Sequence, residues 1–156
     1  MVIQREISIG DYRISTDKAL LDRNFIHEFL STKSYWAQGI RKDIIELSIN
    51  HALCIGSYHF NKQVGFARVV TDYATFGYLA DVFVDESHRG RGLSKHLMDF
   101  IFNIPELSIL RRIMLGTRDA HSLYSRYGFK PLAAPDRFME IHRADIYKNL
   151  KPDHHL

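Results

Sequence analysis

The stretch VFVDESHRGRGLSKHLMDF, Val82 to Phe100, sets two glycines and two arginines, Arg89-Gly90-Arg91-Gly92, between a run that reads as a strand and a pattern that reads as a helix. Such a junction is suited to holding an anion. The first amides of a helix lack intrahelical acceptors and sit at the positive end of the macrodipole. Glycine at 90 and 92 removes the β-carbons that would keep a ligand off the backbone and permits positive φ, so that successive N–H groups can converge. Arg89 and Arg91 add positive charge at the rim. The chemistry this predicts is capture of a diphosphate.

Two nucleotide motifs compete for the turn, and each fails at named positions. A P-loop, G-x-x-x-x-G-K-S/T, needs wider glycine spacing and a Lys-Ser pair where this chain has Leu93 and Ser94. The dinucleotide fingerprint G-x-G-x-x-G meets Lys95 at its third glycine, and the turn follows a run of strands instead of the first β-α crossing.

The turn needs a frame, and the remaining sequence predicts one. Tyr12 to Thr16 alternates as a strand, and Asp17 is placed to cap a helix through KALLDRNFIHEFL with Leu20, Leu21, Phe25, Phe29 and Leu30 as its buried stripe. After Tyr35-Trp36, the segment IRKDIIELSIN repeats the helical spacing with Ile40, Ile44, Ile45, Leu47 and Ser48. ALCIGSYHF and VGFARVVT, joined by Asn61-Lys62-Gln63, predict an antiparallel hairpin, and Phe76–Val84 adds a third strand after Asp72-Tyr73-Ala74-Thr75. Behind the glycine turn a helix buries Leu93, Leu97, Met98 and Ile101 and stops near Pro105. RRIMLGT predicts another strand, DAHSLYSRYGF a short helix closed by Gly128, and RFMEIHR a last strand. This order defines a mixed α+β domain.

Bulk properties bound the rest. A chain of 156 residues suits one domain, here 1–150 followed by a polar tail, 151–156. The adjacent His154 and His155 in that tail fall short of the four ligands of a structural zinc. Cys54 is the single cysteine, so no intramolecular disulfide is possible and a reducing, cytoplasmic setting is expected. MVIQREISIG lacks the apolar core of a secretory signal, and no apolar run reaches membrane-spanning length, so neither export nor membrane insertion is expected. The net charge of +3 comes from scattered pairs such as Arg41-Lys42 and Arg111-Arg112, without the cluster a nucleic-acid partner would require.

Arg89-Gly90-Arg91-Gly92-Leu93-Ser94 resembles the pyrophosphate signature Gln/Arg-x-x-Gly-x-Gly/Ala of the GNAT superfamily of acyl-coenzyme A N-acyltransferases, with Ser94 in place of the final small residue. LGTRDAHSLYSRYGFKPL resembles the family's second motif, a strand and a helix carrying A-x-x-x-Y that ends in Y-G-F, and the order of elements agrees from Asp17 to about Ile141. The resemblance implies a central, mostly antiparallel sheet of six or seven strands, splayed between the fourth and fifth, with about four helices. It implies acetyl-CoA as co-substrate, no metal, and an amine acceptor that is a small molecule or a protein. Homodimers are common in the family.

The same resemblance assigns roles. Backbone groups of Val82, Phe83 and Val84 would pair with the pantetheine arm as an added strand does, and the amides of Arg89, Gly90, Arg91, Gly92, Leu93 and Ser94 would bind the pyrophosphate. Thr117 stands where the family often has an asparagine touching the cofactor. Tyr124 matches the helix tyrosine whose phenol faces the sulfur; with ordinary values near ~10 for phenol and ~8.5 for a thiol, it stays protonated and can serve as general acid. A backbone N–H of Val82 or Phe83 would hold the oxyanion. Asp81 would bind a cationic amine or take its proton, with His121 as a second candidate base. Tyr35 and Trp36 would wall the acceptor pocket, joined by Tyr73, Phe76 and Phe138, favouring an amine with an apolar or aromatic body. Two rivals remain: a non-catalytic acyl-CoA sensor on the same fold, and a basic nucleic-acid-binding module.

Overall fold

A computed structural model describes residues 3–151. β1 (Glu6–Ile9) and β2 (Tyr12–Ser15) form a hairpin around a two-residue loop that begins at Gly10, φ +57°. β1 precedes the first strand expected from the sequence. It is a short edge strand whose side chains are mostly exposed, so it carries no buried alternation to read.

The single helix expected after Asp17 is broken. Asp17 caps a 3-10 turn, Lys18–Leu20, by accepting from the Ala19 amide at 2.9 Å, and Asp22 caps α1 (Arg23–Glu28) by accepting from the Phe25 amide at 3.0 Å. Gln63 holds the break from the sheet: its side-chain oxygen accepts from the Asp22 amide at 2.6 Å. α1 then widens into a π-type turn, Phe29–Lys33. There the hydroxyls of Ser31, Thr32 and Ser34 donate to the carbonyls of His27, Glu28 and Leu30, and this back-bonding competes with the helical ladder. The next helix, α2 (Lys42–Asn50), lies where the apolar spacing placed it.

β3 (Leu53–His59), β4 (Lys62–Thr71) and β5 (Phe76–Val84) form the expected meander, followed by α3 (Leu93–Phe102), β6 (Arg112–Met114), α4 (His121–Ser125) and α5 (Ile146–Asn149). The sheet order is β1-β2-β3-β4-β5-β6, antiparallel throughout except where β6 runs parallel to β5. Helices cover both faces, which is why β3 and β4 are buried almost without alternation. On one face Ile26, Leu30, Ile45 and Ile49 of the first two helices pack on Cys54, Phe66 and Phe83. On the other, Leu97, Met98 and Ile101 of α3 pack on Ile14, Ile55, Ala67, Val69 and Leu79.

The parallel pairing is short. Arg112–Met114 meets only Phe76–Tyr78, and β5 continues from Leu79 to Val84 with no strand on that side among the described residues. The splay expected from the family resemblance therefore lies here, between β5 and β6 once β1 is counted.

The expected last strand in Arg137–Arg143 does not form. Phe138 leaves a 3-10 turn, Pro135–Arg137, to stack under the Arg112 guanidinium, 4.8 Å from its ring centroid. Beyond it Met139 and Ile141 are exposed and the segment has no ladder partner, so the sheet has six strands among the described residues. Five α-helices stand there in place of four, the fifth being α5. No helix among the described residues is long and apolar enough to cross a membrane. Residues 152–156 of the expected tail, with both histidines, lie outside the described residues.

Candidate active site

The splayed part of β5 is also bulged. Phe66 pairs with Phe83 and Arg68 with Ala80, so Ala67 faces both Asp81 and Val82. Asp81 supplies the extra residue and sits at φ +53°, a left-handed conformation that Asp tolerates better than most side chains. The bulge reverses the alternation of the strand. Leu79 points to the α3 face, yet Phe83 packs under Phe29 on the opposite face, rings parallel to within 3° with centroids 3.8 Å apart.

Asp81 is clamped in that position. Its Oδ2 accepts from Arg68 Nε at 2.7 Å and its Oδ1 from Trp36 Nε1 at 2.9 Å. The Asp81 and Arg68 side chains retain 9% and 18% of their exposure, so the pair is largely removed from water. Replacing Asp81 with alanine strands the guanidinium and keeps the positive φ; we expect a loss of about 3 kcal/mol, the cost typical of opening a buried pair. In thermal unfolding that is a fall of roughly 6–12 °C for a chain of this size. Asp81→Asn, which keeps the tolerance for positive φ and an acceptor for Trp36, should lose clearly less.

A cavity of about 530 Å³ occupies the opening. Leu79 to Val82 form one wall, Leu115 to Thr117 and Tyr124 another, and Tyr35, Trp36, Ile40, Ile44, Arg68 and Tyr147 enclose the far end. The loop carrying Tyr35 and Trp36 is fixed by the π-type turn before it and by Gly39, φ +76°, whose amide donates to Ser31. Tyr35 then bridges the opening: its hydroxyl accepts from the Arg118 amide at 3.0 Å, and the Arg118 guanidinium lies 4.0 Å from its ring centroid.

Tyr124 comes from α4, which ends in a Schellman motif with the Gly128 and Phe129 amides donating back to Ser125 and Tyr124 and Gly128 at φ +86°. The residue is 8% exposed, and its hydroxyl has no hydrogen-bond partner among the described residues. Burial pushes the phenol up to about 12, with Tyr35 and Asp119 adding to the effect. Thr117 is occupied as a turn cap, its hydroxyl accepting from the Ala120 amide at 3.0 Å.

At the far end of β5 the glycine turn is open. Gly90 and Gly92 have φ +74° and +77°; a β-carbon at Gly90 would meet nothing within 4 Å, and one at Gly92 only His96 Nε2 at 3.9 Å. The amides of Gly90, Arg91 and Gly92 bond no acceptor among the described residues, and Gly92 leads directly into α3. Converging free amides at the head of a ten-residue helix, with open space above them, fit a diphosphate. Arg89 folds back so that its Nε donates to the Val84 carbonyl at 3.1 Å, while Arg91 is exposed.

The structure thus brings Tyr35, Trp36, Asp81, Val82, Thr117 and Tyr124 around one cavity, with Phe83, Val84 and the stretch Arg89–Ser94 continuing along β5 and its following turn. Tyr73, Phe76 and Phe138 do not line it, and His121 lies in a separate recess behind Thr117 and Tyr124. Sequence reasoning missed Arg68 and Tyr147. Arg68 had a signal, a lone charge inside the apolar strand VGFARVVT; Tyr147 had none.

These features form one candidate site on a splayed mixed sheet, and comparison with known proteins shows the family. The GNAT acetyltransferase domain profile matches residues 50–131. A Gibberella zeae protein provisionally named an acetyltransferase is 31% identical over 137 residues, 75% of this chain and 77% of its own. A crystal structure from Xanthomonas campestris, provisionally assigned to the same family, is 47% identical, covers 90% of this chain and 99% of its own, and superposes with a TM-score of 0.87. An Elizabethkingia anophelis GNAT acetyltransferase with acetyl-CoA bound shares the fold at 14% identity, with a TM-score of 0.60 over 85% of this chain and 88% of its own. The chain belongs to the GNAT acetyltransferase family.

Proposed function

We propose that the protein is an acetyl-CoA-dependent N-acetyltransferase that acylates a primary amine by direct attack within a ternary complex. The observation that carries this reading is the Tyr124 side chain, largely buried against the β5–β6 opening with an unpartnered hydroxyl. Acetyl-CoA supplies the acetyl thioester. The edge of β5 from Val82 to Val84, which meets no β6 residue, offers backbone groups to an extended amide-bearing arm, and the amides from Gly90 to Ser94 hold the pyrophosphate, the Arg89 amide being bonded to the Glu86 carbonyl. Tyr124 remains protonated at neutral pH and gives its proton to the departing sulfur.

The same edge supports the remaining step. Past Tyr78 β5 meets no β6 residue, and a backbone N–H of Val82 or Phe83 serves there as the oxyanion donor. Asp81, already accepting two hydrogen bonds, attracts the ammonium form of the acceptor, and the amine sheds its proton to solvent before attack. Tyr35 and Trp36 shape the acceptor pocket with the aliphatic side chains of Ile40 and Ile44. We place the protein in the cytoplasm, in keeping with Cys54, a buried free thiol that burial pushes up to about 11.

The hydrogen bonds that Asp81 already holds with Arg68 and Trp36 favour a second reading, a sensor that binds acyl-CoA without turnover. One assay separates the two. Thiol release from acetyl-CoA across a panel of primary amines should exceed the amine-free rate by at least about 100-fold for some member of the panel, the range that general acid catalysis alone supplies. Tight acetyl-CoA binding with no amine-stimulated release would support the sensor.

A further inference from the structure

We propose that the acceptor carries a carboxylate beside its amine, as a free amino acid with an apolar side chain does, and that Arg68 reads that carboxylate. The inference rests on the acetyltransferase reading above and deepens it. Arginine has five N–H donors, and here only Nε is used, on Asp81. Nη1 and Nη2 have no hydrogen-bond partner among the described residues, although the side chain keeps only 18% of its exposure and lines the cavity. That outer fork is without a protein partner where the side chain lines the cavity, and a planar carboxylate matches it with two parallel bonds.

The anion that belongs there is not the cofactor's. Arg68 pairs with Ala80, at the start of the splayed part of β5, whereas the glycine turn follows the other end of the strand beyond Val84. At about 3.3 Å per residue, Ala80 and the turn are more than ~13 Å apart along the chain. The Arg68–Asp81 pair therefore presents both signs to one small volume: carboxylate oxygens for an ammonium and a free fork for a carboxylate. The surrounding walls are apolar and aromatic, Tyr35, Trp36, Ile44 and Tyr147 among them. Tyr147 reaches close enough to feel both charges, its phenol raised mainly by burial, with Asp81 adding and Arg68 opposing.

The test compares matched acceptors on the whole protein. L-phenylalanine is set against 2-phenylethylamine and L-leucine against 3-methylbutylamine, which differ only in the carboxylate. The wild type should prefer each amino acid by about 100-fold in kcat/KM, the order expected of hydrogen bonds from a charged donor. In Arg68→Gln that preference should fall to near unity, while Arg68→Lys should keep part of it. Equal use of acid and amine by the wild type would overturn the proposal without touching the acetyltransferase reading. So would an Arg68→Gln protein that slows both equally. If no acceptor is turned over, calorimetric titration of L-phenylalanine into CoA-loaded protein still decides: uptake sensitive to Arg68→Gln supports the carboxylate site, and no uptake rejects it.

Discussion

Gly92→Asp should abolish useful acetyl-CoA binding while leaving the fold nearly untouched. Gly92 precedes α3 at φ +77°, and aspartate is among the few side chains that accept such a backbone; a β-carbon there meets only His96 Nε2 at 3.9 Å. The penalty on folding should be about 1 kcal/mol, a fall in melting temperature of roughly 2–4 °C. Binding is a different matter. A carboxylate placed among the amides that are to meet the diphosphate opposes it at about 4 kcal/mol per unit charge at 4 Å and an effective dielectric of 20, or about 10³-fold in affinity. Calorimetry beside a melting curve reads both effects. A variant that unfolds would leave the comparison to Gly92→Ala, expected to lose about ten- to hundredfold in affinity through one or two misplaced charge-assisted bonds. Unchanged affinity in either would remove the glycine turn from the site.

Tyr124→Phe should do the reverse, keeping acetyl-CoA affinity within about threefold and lowering kcat by roughly 10²- to 10³-fold, the usual worth of a positioned proton donor. The hydroxyl makes no hydrogen bond among the described residues, so its removal breaks no internal contact, and the ring still packs against Phe129. The pH profile carries an independent sign. A phenol held near about 12 is protonated across the range in which amines lose their protons, so the wild-type rate should climb with pH from about 7 to about 10 without a falling limb from Tyr124. A wild-type profile that falls steeply near pH 9, or a phenylalanine variant of full activity, would strip Tyr124 of the role.

Most of the fold was legible because its signals are local. The β3–β4–β5 meander, α2, and α3 behind two glycines follow from alternation, helical spacing and turn chemistry, and each lies within a few residues of the expected bounds. Failures occurred where a distant partner decides. The helix from Asp17 breaks because Gln63 on β4 takes the Asp22 amide, and RFMEIHR stays out of the sheet because Phe138 is drawn onto Arg112. The strand FGYLADVFV reads as a nearly continuous apolar run with a lone Asp, and nothing in it announces the bulge that turns Asp81 toward Trp36 and Arg68.

The site divides in the same way. The glycine turn and Tyr124 lie in contiguous motifs and could be named in advance, whereas the acceptor end is assembled from the loop after α1, the middle of β4, the bulge and α5. Asp81 was expected to bind a cationic amine or take its proton, and it lines the cavity; its ion pair with Arg68 depends on register across two strands and is invisible to spacing.

The central claim is that the opening between β5 and β6 places an acyl-CoA sulfur beside Tyr124 while the amides after His88 hold the diphosphate. A crystal structure of the complex with a non-transferable acetyl-CoA analogue tests it most directly. The account predicts the diphosphate on the Gly90–Ser94 amides, the arm along Val82–Val84, and the sulfur within hydrogen-bonding reach of the Tyr124 hydroxyl. An analogue bound with its sulfur remote from Tyr124, or its diphosphate away from the glycine turn, would contradict it.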